Sequence, residues 1–94
     1  MDDKITKEKL EKYLTLTSTA IEKAMVAKEK INIQNARHEI LDMAIRYVKD
    51  AKHFQEKGDF VNAFAALNYA HGWLDAGARL GFFDVHDSKY FAVD

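Results

Sequence analysis

The chain has no cysteine, no proline and only four glycines. Without cysteine there are no disulfides, no thiolate zinc sites and no cysteine nucleophile. Without proline, nothing forbids long unbroken helices. An excess of one charge is also missing, since fourteen Lys and Arg stand against fifteen Asp and Glu, for a net charge of -1. That balance argues against a nucleic-acid partner held by bulk charge. Long apolar runs are missing too. The longest stretch without formal charge, Phe60 to Leu74, contains Asn62, Asn68 and His71. It falls short of the roughly 18–20 apolar residues of a spanning helix. The opening Met1-Asp2-Asp3-Lys4 is acidic and unlike a signal peptide. These features read as a cytoplasmic protein without a membrane partner.

What is present is apolar content of 48%, which excludes a disordered chain. Ninety-four residues make one domain, 1–94. Three stretches carry helical periodicity. In the first, about 4–28, Leu10, Tyr13, Leu14, Thr17, Ala20, Ile21, Ala24 and Met25 recur at spacings of three and four. The Thr15–Thr19 patch has weak helix propensity, but the stripe passes through it in phase. Residues 29–35 read as a connection ending in Asn35, an N-cap whose side chain accepts from the next helix. The second helix, 35–57, carries Ile40, Leu41, Ala44, Ile45, Val48, Ala51 and Phe54 on its inner stripe. Gly58 then supplies a left-handed C-cap, and Asp59 an N-cap. So short a turn makes the second and third helices an antiparallel hairpin.

The third helix, 60–80, stops at Gly81. It is apolar on two sides: Phe60, Phe64, Leu67 and Leu74 on one, and Ala66, Tyr69, Trp73, Ala76 and Leu80 on another. Such a helix is expected to be buried on more than one side. Gly72 and Gly77 inside it each cost about 1 kcal/mol relative to alanine, which predicts a packing reason for both. The tail, 82–94, carries Phe82, Phe83, Tyr90 and Phe91 and is too aromatic to hang free. Phe82 is expected to fold back near Gly77, and Asp87 or Ser88 to cap a last turn. The fold class is therefore all-α, a three-helix bundle with an aromatic tail.

The residues Gly58-Asp59-Phe60, the run Tyr69-Ala70-His71-Gly72-Trp73-Leu74-Asp75-Ala76-Gly77-Ala78-Arg79-Leu80-Gly81, and the upstream Tyr47-x-x-Asp50-Ala51-x-x-Phe54 are distinctive. They resemble domain-of-unknown-function family 357, small archaeal three-helix proteins. The resemblance implies a three-helix bundle, an archaeal cytoplasmic setting and no catalytic residues to carry over. A second likeness is to one tetratricopeptide unit, through Tyr47, Ala51 and Phe54 and then Ala63-x-x-x-Leu67 and Ala70. Asp50 stands where that repeat has leucine, and its terminal proline is missing. This likeness implies a tight helical hairpin and no more.

Several side-chain sets carry candidate chemistry. Asn68, His71, Asp75 and Arg79, spaced by three, four and four, share one stripe of the third helix beside Trp73. An imidazole, a carboxylate and a guanidinium there suit a binding site for a phosphate or a polar ligand, or a solvated face with an Asp75–Arg79 pair. Asp50 on the second helix is expected to lock with Arg79 or His71. Arg46 and His53, seven apart, resemble the arginine and histidine of a class of metal-independent helical ribonucleases. There the histidine moves a proton and the arginine stabilises phosphorane charge. A small ligand held between the second and third helices near Trp73 is a third reading. Pairs such as His38 with Asp42 or His71 with Asp75 offer two metal ligands and no third, so neither metal nor cofactor is expected. Excess apolar surface and the lack of an assembled catalytic set favour a non-enzymatic module that binds a protein partner or a second copy of itself, as a homodimer. The alternative is an RNA-processing or phosphate-ester enzyme using Arg46 and His53, or His71 and Arg79.

Overall fold

Local chemistry sets most of the helix ends. In the computed structural model, which describes residues 5–28, 33 and 35–91, three helices run Lys7–Val26 (α1), Ala36–Glu56 (α2) and Phe60–Arg79 (α3). Among the described residues there is no strand. The Thr6 side chain caps α1 by accepting from the Lys9 amide at 3.1 Å, so the helix begins later than its periodicity suggests. The expected start at Lys4 and most of the connection lie outside the described residues. Asn35 does precede α2, but in the left-handed region (φ 61°) and with no side-chain capping bond. It enters the helix through its backbone, which asparagine tolerates better than most residues.

Gly58 has φ 76°, and Asp59 accepts from the Asn62 amide at 3.2 Å, which closes the α2–α3 turn as the sequence implies. Gly81, at φ 86°, ends α3 in the same way, with the Phe82 amide donating to the Gly77 carbonyl. α2 and α3 pack most closely, and α1 lies more loosely against both. Small residues explain the close approach: Ala44 and Ala51 on α2, and Ala63 and Ala70 on α3, are almost wholly buried at the seam. Around them Leu10, Ile21, Ile40, Val48, Leu67 and Leu74 complete the core.

The tail is docked. Phe83 and Phe91 are both buried. A Cβ on Gly77 would stand 2.5 Å from the Phe83 ring and 3.1 Å from Ile40, so Gly77 makes room for an aromatic wedge between α2 and α3. The wedge is Phe83 and not Phe82, which is only partly buried. The rest of the tail straps α1 down. The Asp84 amide donates to the Lys28 carbonyl, Lys23 pairs with Asp87 at 3.5 Å, and the Lys23 ammonium lies 5.0 Å from the centre of the Tyr90 ring. Asp87 then organises the last turn, its carboxylate accepting from Lys89 and its carbonyl from Tyr90 and Phe91.

Candidate functional site

The polar stripe of α3 does not act as one set. His71 and Asp75 turn toward α1 and line an open cleft of ≈ 310 Å³ with Tyr13, Thr17 and Asn68. His71 Nε2 lies 2.5 Å from the Tyr90 carbonyl oxygen and 3.7 Å from the Asp75 carboxylate, and its Nδ1 lies 3.5 Å from the Thr17 hydroxyl. A carbonyl only accepts, so Nε2 carries a proton and donates to it. In the neutral ring Nδ1 is then the acceptor, and the buried Thr17 hydroxyl donates. His71 therefore ties α1, α3 and the tail together. Its Nε2–H is committed to a backbone oxygen and is not presented to a ligand. Every buried side-chain nitrogen and oxygen among the described residues has a partner, so no orphaned polar group points into the cleft.

Arg79 is exposed, and Asp50 lies exposed on α2. The expected lock of Asp50 with Arg79 or His71 is therefore not formed, and the charged neighbour of His71 is Asp75. Arg46 and His53 are also exposed, on the outer face of α2, and the Arg46 guanidinium is engaged by Asp42 at 3.0 Å. Neither residue lines any of the three clefts described among these residues, whereas proton transfer and charge stabilisation need both groups to converge on one reacting group. Among the described residues no three His, Asp or Glu side chains gather as a metal site would require.

The second apolar side of α3 was expected to be covered, and it is open. Tyr69 is 62% exposed, Leu80 57% and Trp73 38%, with Ala65, Gly72 and Ala76 exposed between them. The described part of the tail, to Phe91, packs on the other side of α3. Tyr47 of α2 stacks on Tyr69, with centroids 5.4 Å apart and planes 19° apart, so an outward aromatic is held in place. A shallow hollow of ≈ 270 Å³ lies beside Trp73, lined by Asn68, Tyr69, Gly72, Trp73 and Ala76. All five belong to α3, so the hollow is on its outer surface and not between α2 and α3. A Cβ on Gly72 would meet nothing within 4 Å. The packing reason found for Gly77 is absent inside the chain for Gly72.

Two features escape a reading of the sequence. Arg37 donates to the Ala24 and Met25 carbonyls at the end of α1, satisfying acceptors that the helix leaves open. Tyr13 packs edge-on against Phe64 at 5.2 Å and forms one wall of the cleft. The stripe of α1 marks Tyr13 as inward-facing without indicating the cleft.

This arrangement, a hairpin of two close helices strapped to a third by an aromatic tail, defines a small three-helix protein with an open α3 face. Residues 12–83 match the family described as Protein of unknown function (DUF357), and the chain belongs to that family. No curated protein and no solved structure matches it. No helix among the described residues is long and apolar enough to cross a membrane.

Proposed function

We propose that the protein is a non-enzymatic interaction module whose docking surface is the outer face of α3. The observation that carries this reading is the exposure of Tyr69, Trp73 and Leu80 on one helix while the tail aromatics are buried elsewhere. Tyr and Trp are the residues most often found to dominate binding energy at interfaces, and the Tyr47 stack holds Tyr69 ready at low entropic cost. The candidate catalytic groups support it from the other side. Arg46 and His53 face open solvent, and His71 is a structural tie.

Photo-crosslinking in the cell of origin tests the assignment. A benzophenone amino acid at Tyr69 is expected to give discrete adducts, identified by mass spectrometry and reproduced with purified components. The same probe at Lys52, on α2, is expected to give none. Equal labelling at both positions, or none at Tyr69, would remove the docking surface.

A further inference from the structure

We infer that the occupant of this face is a second copy of the chain, packed antiparallel along α3 with the two-fold axis passing close to Gly72. The inference rests on the docking reading above and adds the identity of the partner. A two-fold axis between Gly72 and Trp73 sets position 72 + n of one copy opposite 73 − n of the other, so the face must be complementary to itself under that exchange.

It is. Tyr69 falls over the Ala76 region of the second copy, Leu80 over Ala65, and the Trp73 ring over Gly72. Each bulky exposed side chain meets a small exposed residue. A parallel pairing would set Tyr69 on Tyr69 and Trp73 on Trp73 and leave the hollow at Gly72 empty. The antiparallel one fills it. The missing Cβ at Gly72 then has its reason, because it lets two backbones approach where nothing inside the chain requires it.

Charge agrees with this orientation. The helix carries no formal charge from Phe60 to Leu74, so a self-pairing meets no like-charge repulsion through its centre. Arg79 near the end of α3 is exposed, and Asp59 caps its start. Antiparallel packing brings the Arg79 of each copy to the half of the other helix that begins with Asp59. The same arrangement also opposes the two helix dipoles.

Area fits as well. The face is one helix wide, with Tyr69, Trp73 and Leu80 as its large exposed side chains, and it lies toward the lower end of what a specific stable interface buries. Association through so small a patch is concentration-dependent.

The absence of cysteine makes the test clean. Gly72→Cys is expected to form a disulfide-linked dimer on mild oxidation, since residues at a two-fold axis come within the ~7 Å Cα separation a disulfide spans. Ala65→Cys and Leu80→Cys are expected to link to each other when mixed, several-fold faster than either links to itself. Lys52→Cys is the control and is expected to form no disulfide-linked dimer. Trp73 is the single tryptophan, so its emission is expected to shift to the blue as concentration rises, with sedimentation reporting the same transition. Gly72→Arg should weaken that transition at least tenfold while leaving the far-ultraviolet helix signal intact. A chain that stays monomeric to millimolar concentration, with constant Trp73 emission, would overturn self-pairing, and the adducts at Tyr69 would decide the docking reading separately. Dimers that link through Lys52→Cys and not Gly72→Cys would overturn both. Self-links of Ala65→Cys outpacing mixed links would overturn the antiparallel geometry.

Discussion

The ring of Phe83 stands where a side chain on Gly77 would have to go. A Cβ there would lie 2.5 and 2.6 Å from its Cε2 and Cζ. Phe83 is wholly buried, so the ring can yield only by repacking the core around it. One turn and a half earlier, Gly72 faces open space. Two glycines in one helix are thus small for different reasons, and their substitutions separate.

Gly77→Ala gains about 1 kcal/mol of helix propensity and loses about 1–3 kcal/mol to overpacking against a trapped ring. The net expectation is destabilisation, read as a melting temperature several degrees below wild type. Gly72→Ala gains the same propensity with no clash. At a concentration where sedimentation shows only monomer, it should raise the melting temperature by roughly 4–8 °C. Equal shifts for the two variants would contradict the placement of Phe83.

The turn between α2 and α3 makes a second prediction. Gly58 sits at φ 76°, where an L side chain costs about 1–2 kcal/mol. Gly58→Ala should lose that amount in chemical denaturation, and Gly58→Asn distinctly less, because asparagine visits this region more readily. A Cβ at this position meets nothing within 4 Å, so any loss reports backbone strain and not crowding.

That turn was legible in the sequence because its chemistry is local: a glycine, then a capping carboxylate, between two periodic stripes. The all-α class and the close α2–α3 pairing were legible for the same reason, since alanine spacing marks where helices approach. The exposed side of α3 was not. Periodicity shows that Tyr69, Trp73 and Leu80 share a face with Ala76, but it does not show what covers that face, and the tail that was free to cover it docks elsewhere. The Asp50 lock failed because neighbouring helices bring together only their inner faces, and Asp50 lies on the outer one. The bond from His71 to the Tyr90 carbonyl could not be read at all, because every residue carries that acceptor and only tertiary packing selects one.

His71 makes a third prediction. Replacing it with alanine removes the donor to the Tyr90 carbonyl and the ring beside the Thr17 hydroxyl. A part-buried bond of this kind is worth about 0.5–1.5 kcal/mol, more where a partner is left unsatisfied. The loss should appear as faster amide exchange at Tyr90 and Phe91 and in the second half of α1, with the α2–α3 hairpin little changed. Uniform acceleration along the whole chain would mean that His71 holds the entire core and not the strap alone.

The strap itself carries the last prediction. α1 packs less closely on the hairpin than the hairpin helices pack on each other, so part of its hold must come from elsewhere. The tail supplies it through Lys28, Lys23 and His71, with Phe91 buried at its end. Truncation after Asp84 keeps the Phe83 wedge and the bond from the Asp84 amide, but removes Asp87, Tyr90 and Phe91. Burial of one large aromatic is worth about 1.5–3 kcal/mol, and the exposed Lys23–Asp87 pair adds less than about 1 kcal/mol. The expected loss of about 2–3 kcal/mol should lower the melting temperature by roughly 10–20 °C. It should also fall unevenly, since exchange in α1 should accelerate far more than in α2 and α3. Phe91→Ala alone should reproduce most of the effect, because the remaining contacts hold only where the ring anchors them. An unchanged melting temperature on truncation would show that α1 is held by its own stripe and that the tail merely rests on it.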